Sequence, residues 1–327
     1  MPLTTYGDIG ADTAGWLSAE MLKRAQPYLC IDKYSQTRPL PKNQTDVARF
    51  HRFEALDSTP NALVEGVTPA GKKVTRTELT VTMAQYGDLI TVSDQVIDMK
   101  EDPVLRENTA VLGEQAAQMI ERVKFNILRG GTNVFFSNGA LRTSVNTPPT
   151  RTTIRAVTKA LQRQNARMLS QVLSSSPRYD THNVEPSYFA LSHPDLESDI
   201  RDMTGFISSA QYGSIKAEEN EIGSVEHVRF IKSTIFASWP DGGGATGAME
   251  STTGVSADVY PIIVLGRDAF ATVPLKGAGS LTPMVVNAKP SDSDPLAQRT
   301  HISWKHYMTA LILNDLFMAR IECAATA

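Results

Sequence analysis

Residues 103–129 read PVLRENTAVLGEQAAQMIERVKFNILR, and the spacing of their apolar positions predicts one long helix. Val104, Leu105, Val111, Leu112, Ala116, Met119, Ile120, Val123, Ile127 and Leu128 recur at helical spacing and form a single stripe. Asp102 can cap the first turn, and Pro103 stands where a missing N–H costs nothing. Arg129 closes the last turn and Gly130-Gly131 stops the helix. At 1.5 Å per residue the rod is about 40 Å long, whereas helices average about 11–12 residues. Gly113 is a weak point, costing about 1 kcal/mol against Ala. A buried core helix of an ordinary enzyme would carry the same stripe, so the residues that precede it have to decide.

Those residues form an unusual pair of strands. VARFHRFEAL (47–56) and KVTRTELTVTM (73–83) are β-branched, aromatic and partly alternating, with the turn-rich DSTPNALVEGVTPAG between them. The simplest arrangement is a long two-stranded ribbon with a wide loop. Arg49, His51, Arg52, Glu54, Arg76 and Glu78, with Thr75, Thr77, Thr80 and Thr82, leave neither face fully apolar. An isolated hairpin is marginal in water, and open strand edges invite another chain. The ribbon is therefore either stabilised by neighbouring subunits or part of an ordinary sheet with one wet side.

Residues 1–46 precede it. A loose arm leads into a short amphipathic helix starting at Asp12 or Thr13, with Trp16, Leu17, Met21, Leu22 and Ala25, and ending before Pro27. SQTRPLPKNQTD (35–46) carries two prolines and is extended. Such a lead has no core of its own and must lie across something else. YGDLITVSDQVIDM (86–99) links the ribbon to the long helix.

Beyond the long helix, NVFFSNGALRTSVNTPPTR predicts a short strand and a loop closed by Pro148-Pro149. A second helix is expected over 152–173 from Ile154, Val157, Leu161, Met168 and Val172. YFAL (188–191) is a short buried strand, and Ser192 with Asp195 gives a capping box for the helix PDLESDIRDM. EHVRFIKSTIF (226–236) alternates as a strand, DGGGATGAMESTTG (241–254) is a flexible loop, and LTPMVVNAK (281–289) is a strand. Pro261 confines VYPIIVL (259–265) to a sheet edge or a strand start. HISWKHYMTALIL (301–313) and LFMARIECA (316–324) are final strands joined at Asn314-Asp315. The order is α+β with mixed sheets, without a regular βαβ repeat.

Composition narrows the class. A chain of 327 residues supports a large core and two domains. Its net charge of −3 is no polycationic signature, and Cys30 and Cys323 read as two reduced thiols. No apolar run of about 18 residues occurs, and the N-terminus lacks the marks of a secretory signal. Gly242, Gly244 and Gly247 spell GxGxxG, but a dinucleotide site needs that motif between a strand and a helix. SWPD before it and AMESTTG after it read instead as a surface loop. No P-loop, GxSxG elbow, HxxxH or HExxH is present, and His301 and His306 point to opposite faces of their strand. Glu218, Glu219, Glu221, Asp292 and Asp294 look like solvated loop charges. Nothing here requires a catalytic residue, a cofactor or a metal.

This order of elements resembles the tailed-phage major capsid proteins of the Hong Kong 97 fold. YGDLITVSDQVID (86–98) and DPLAQRTHISWKHYMTALILNDLFMARIE (294–322) resemble the branch typified by coliphage N-four. The resemblance implies an N-terminal arm (1–46), an extended loop over the adjacent subunit (47–85), and a peripheral domain (86–151 with 301–327) built on spine helix 103–129. It also implies an axial domain (152–300) whose loops 205–223 and 241–254 meet at pentamer and hexamer centres. The implied function is a virion shell subunit, made in the bacterial host cytoplasm, that self-assembles around double-stranded DNA. Its implied partners are copies of itself, a portal protein, and scaffold or decoration proteins, with no membrane. No coiled-coil scaffold segment precedes the arm, so scaffolding is expected from a separate protein or a removed segment. Arg49, Arg52, Glu65, Arg76 and Glu78 are the candidate intersubunit contacts. The type member joins a loop lysine to a neighbour's asparagine; Lys72 and Lys73 lie near the loop tip here, with no assignable Asn. An encapsulin-like compartment shell and a nucleotide-dependent oxidoreductase using the Gly242–Gly247 loop are the rival readings.

Overall fold

The computed structural model describes residues 29–63, 65–66, 68–99, 104–173, 181–213, 217–276, 282–288, 290 and 295–327. The helix expected around Trp16, the Asp102-Pro103 start of the long helix, and Asp292 with Asp294 lie outside the described residues. In chain order the strands and helices are β1 (Gln36–Thr37), β2 (Val47–Phe53), β3 (Arg76–Thr82), β4 (Ala84–Ser93), α1 (Asp94–Met99), α2 (Val104–Leu128) and β5 (Val134–Phe136). There follow α3 (Arg151–Arg163), β6 (Leu169–Leu173), β7 (Thr181–Ser192), α4 (Glu197–Arg201), β8 (Ile207–Ser208), β9 (Glu221–Val225) and β10 (Val228–Lys232). The last are β11 (Val259–Leu265), β12 (Phe270–Pro274), β13 (Thr282–Val286), β14 (Arg299–Ile312) and β15 (Met318–Ala324).

β14 organises the first sheet. It pairs antiparallel with β4 from Arg299↔Ser93 to Met308↔Ala84. Its other edge is shared between β13, over His301–Lys305, and β12, over Met308–Ile312, and β1 runs parallel to β12. Burial alternates along β14, with Ile302, Trp304, His306 and Met308 inward and His301, Ser303, Lys305 and Tyr307 less so, as a period of two requires. The second sheet has the order β5-β15-β11-β7-β10-β9-β8, with β6 also on β7.

The long helix α2 belongs to both sheets. Leu112 and Ala116 pack with Val92, Ile302 and Trp304 of the first sheet. Farther along the helix, Phe125 and Leu128 pack with Phe189, Leu191, Ile231, Ile263 and Leu265 of the second. Cys30, Ile31 and Tyr34, where the described N-terminal segment begins, complete that second cluster. Glu121 is buried on α2 and its carboxyl Oε1 accepts the Cys30 and Ile31 N–H groups at 3.1 and 3.2 Å. One turn later Lys124 Nζ lies 2.5 Å from Asp32 Oδ2. The segment Cys30–Tyr34 is thus fastened to α2 by backbone bonds to a buried acid and by an ion pair.

Several local expectations are corrected. The second helix ends at Arg163, because Asn165 turns left-handed (φ 56°), so Met168 leaves the helix and Val172 lies on β6. His193, not Ser192, caps the next helical segment, its Nδ1 accepting from the Asp195 N–H. The strand expected over 226–236 is shortened to Val228–Lys232, because Glu226 and His227, both at positive φ, form the turn from β9 back into β10. Pro261 lies in a strand flanked on both sides, but β7 pairs with β11 only from Ile263 onward, so the missing N–H falls beyond the end of β7. β14 and β15 are joined through Asn314-Asp315 as expected, but they do not pair with each other. Asn314 caps the turn between them and the chain crosses from one sheet to the other. Glu221 is no solvated charge: it is buried, bound by Arg229 at 2.6–2.7 Å and by the Tyr212 hydroxyl at 2.7 Å.

Candidate assembly surface

The ribbon of β2 and β3 pairs from Val47↔Thr82 to Phe53↔Arg76. Neither face is fully apolar, as expected, but alternation gathers the apolar residues of the root onto one side. Ala48 and Phe50 are buried and pack, with Leu79 and Val81, against Leu40, Ala271 and Val273. The apolar character ends there. From Glu54 to Thr75 every described residue is exposed. Phe53 is 66% exposed, Leu56 50%, Leu63 75% and Val74 51%. Four large apolar side chains exposed on one loop make it the candidate surface for contact with another subunit. They are the part of the surface that sequence reasoning missed, because each sits singly among turn residues with no periodicity to flag it.

The hydrogen bonds of the loop are local. Glu54 N–H donates to Thr75 O at 3.0 Å. Asp57 Oδ1 accepts from the Thr59 hydroxyl and N–H, which hold its carboxyl below the ordinary carboxylate range. Lys72 Nζ donates to Asp57 O at 2.5 Å, so this lysine is engaged within its own loop. The five candidate contact residues part company here. Arg49 Nη1 lies 3.4 Å from Glu78 Oε1, both side chains facing solvent. Arg52 is drawn onto its own body, donating to Leu313 O and Asn314 Oδ1 at 3.3 and 3.1 Å. Arg76, opposite Phe53, and Glu65, in the turn at Gly66, are exposed, and their side chains have no hydrogen bond or ion pair among the described residues.

The glycine-rich segment 241–254 is pinned, which corrects its reading as a flexible loop. Asp241 accepts from Ser251 Oγ and from the Thr253 N–H and hydroxyl, and Asp258 accepts from Asp241 N–H and from Thr252. The N–H groups of Gly242, Gly243 and Gly244 donate to Trp239 O, Ala257 O and Val145 O. A Cβ on Gly243 would stand 2.2 Å from Val145 O, so that glycine serves close backbone approach. No helix follows the motif, and the N–H groups of its three consecutive glycines are already used, so the strand–glycines–helix setting of a pyrophosphate site is not formed here. Beside it the Arg129 and Arg142 guanidiniums each lie 3.7 Å from the Trp239 ring centroid. Arg142 donates twice to buried Glu322, at 2.8 Å each. Arg320 donates to Arg129 O and Gly131 O, satisfying carbonyls at the end of α2.

A protein-family model described as "Phage capsid protein" matches residues 76–321, from β3 through β15. Among solved structures, the capsid of Ralstonia phage GP4 aligns with a TM-score of 0.66 at 13% identity, covering 90% of this chain and 88% of that one. The head structure of Helicobacter pylori bacteriophage KHP40 aligns at 0.59 and 10% identity, covering 90% and 88%. The SrpI encapsulin of Synechococcus elongatus PCC 7942 aligns at 0.54 and 12% identity, covering 98% and 96%. At such identities the likeness is one of fold. No curated protein sequence matches.

Proposed function

Because this chain belongs to the phage capsid protein family, we propose that the exposed ribbon is where one copy completes the next. The protein is a structural major capsid protein of the Hong Kong 97 fold, and it self-associates into an icosahedral virion shell. The single observation that supports the ribbon's role is its division in two. Its root is buried on its own subunit, while Phe53, Leu56, Leu63 and Val74 beyond it stand open to solvent. In a closed symmetric lattice the tip of 47–85 lies on an adjacent subunit, and many modest contacts sum over the shell. Glu65 and Arg76 supply charge contacts across that boundary. Arg49 and Glu78 carry their mutual pair into it, and Arg52 fixes the ribbon to its own body.

Residues 1–46 act as the arm, α2 as the spine, 86–151 with 301–327 as the peripheral region and 152–300 as the axial region at pentamer and hexamer centres. The boundary between these regions passes through both sheets: β12 and β13 join β14, and β15 joins β11. The shell encloses double-stranded DNA and meets a portal protein at one vertex. The encapsulin likeness concerns the same fold, and the contents of purified particles, nucleic acid or protein, distinguish that reading.

Deletion of 57–72 tests the ribbon. The shortened protein should remain soluble and folded by circular dichroism, yet form no closed shells in negative-stain images. Normal shells from that variant would remove the ribbon as the intersubunit element.

A further inference from the structure

We propose that the outward face of α3, continued by the turn after it, is a ridge that binds the phosphodiester backbone of the enclosed duplex. The proposal rests on the reading that the shell holds DNA. α3 buries Ile154, Val157, Thr158 and Leu161. The face turned away from them carries Arg155, Lys159 and Arg163, all exposed, with Arg151 one step earlier and Arg167 one step later. The spacing is four residues throughout, about 6 Å of helix rise per step. No Asp or Glu occurs between 151 and 173 in a chain whose net charge is −3. Composition therefore does not account for this run of cations.

The first two cations are accounted for within the subunit, since Arg151 and Arg155 both bind Glu226 at 2.7 Å. Lys159, Arg163 and Arg167 have no ion pair among the described residues. Arg267, itself 3.7 Å from the exposed Asp268, lies beside them, because its N–H donates to Arg167 O at 2.8 Å. An ordinary solvated helix face gains from opposite charges four residues apart and loses from like ones. This face repeats like charges along its length, an arrangement that a polyanion would relieve. Arg163, in the last turn, also favours the helix dipole, but Lys159 and Arg167 have no such benefit. Gln162, Gln164 and Asn165 are exposed on the same segment and add amide donors suited to phosphate oxygens. The helix presents no aromatic side chain, as stacking on single strands would need. The recognition that fits is therefore of duplex backbone, independent of sequence.

The test is titration of purified subunits with a fluorescent mixed-sequence DNA duplex across a salt series, comparing wild type with Lys159→Gln/Arg163→Gln/Arg167→Gln. All three side chains are exposed, so the variant should melt with the wild type and still close shells. Its affinity at low salt should fall about tenfold, and the slope of log affinity against log salt should become shallower by about 0.9 for each phosphate no longer neutralised. Unchanged affinity and slope would overturn the proposal. So would normal DNA binding with failed shell closure, which would assign the face to a neighbouring subunit. Labelling of Lys159 in closed particles by an amine reagent too large to pass the shell would also overturn it, by placing the ridge outside. Wild-type particles that hold protein and no nucleic acid would instead bring down the reading that the shell encloses DNA, on which the proposal rests.

Discussion

Glu121 shows what one buried side chain contributes. Burial, with Asp32 adding to it and Lys124 opposing, holds its carboxyl up at about 8, from an ordinary value of 4.5. The folded subunit therefore keeps this proton over a range where the unfolded chain has released it. Its contribution to stability is full below the unfolded value and declines as the pH rises through the folded one. The denaturation midpoint of unassembled subunits should drop as the pH is raised from 4.5 to about 8. Glu121→Gln, which cannot ionise, should flatten that slope; parallel pH profiles for the two proteins would contradict the assignment. Nothing in the sequence distinguishes Glu121, which falls within a charged stretch of the helix. Its role depends on a segment 90 residues away.

Among the elements, the ribbon contrasts two phenylalanines three positions apart. Phe50 is 6% exposed and Phe53 is 66% exposed. Phe50→Ala should cost about 3–5 kcal/mol, read as a lower melting temperature of the isolated subunit. Phe53→Ala should leave that melt within about 0.5 kcal/mol and act on assembly, raising the protein concentration at which shells form. Equal effects on subunit stability would mean that Phe53 packs on its own chain. The ribbon's strands were legible from β-branched composition, but its apolar root was not. The alternation of Ala48 and Phe50 is obscured by Arg49, His51 and Arg52, and only the sheet beneath shows which face is inward.

For the molecule as a whole, α2 makes one cooperative unit of two sheets. Leu112 is packed in the cluster with Trp304, and Leu128 in the cluster with Phe189 and Ile263. A helix shared by both cores cannot be lost from one without weakening the other. Leu112→Ala and Leu128→Ala should each cost about 2–5 kcal/mol and should lower the same single calorimetric transition of the unassembled subunit. Two transitions, each moved by only one of the variants, would show that the sheets unfold separately.

Features governed by local physics could be read from the residues alone. The apolar period of 3.6 residues marked α2, and the Gly130-Gly131 stop placed its end within a residue or two. The glycine motif could be doubted as a cofactor site because no helix followed it. The destination of each element, by contrast, emerged only from the folded chain. β14 and β15 are neighbours in sequence, yet they belong to different sheets. Pro261 sits in an interior strand because β7 stops short of it, and Glu221 is buried because Arg229 lies across the hairpin to meet it. The physical reason is the same in each case. Periodicity fixes which face of an element is apolar, whereas the partner that covers that face is chosen by contacts between residues far apart in the chain, or on another copy of it.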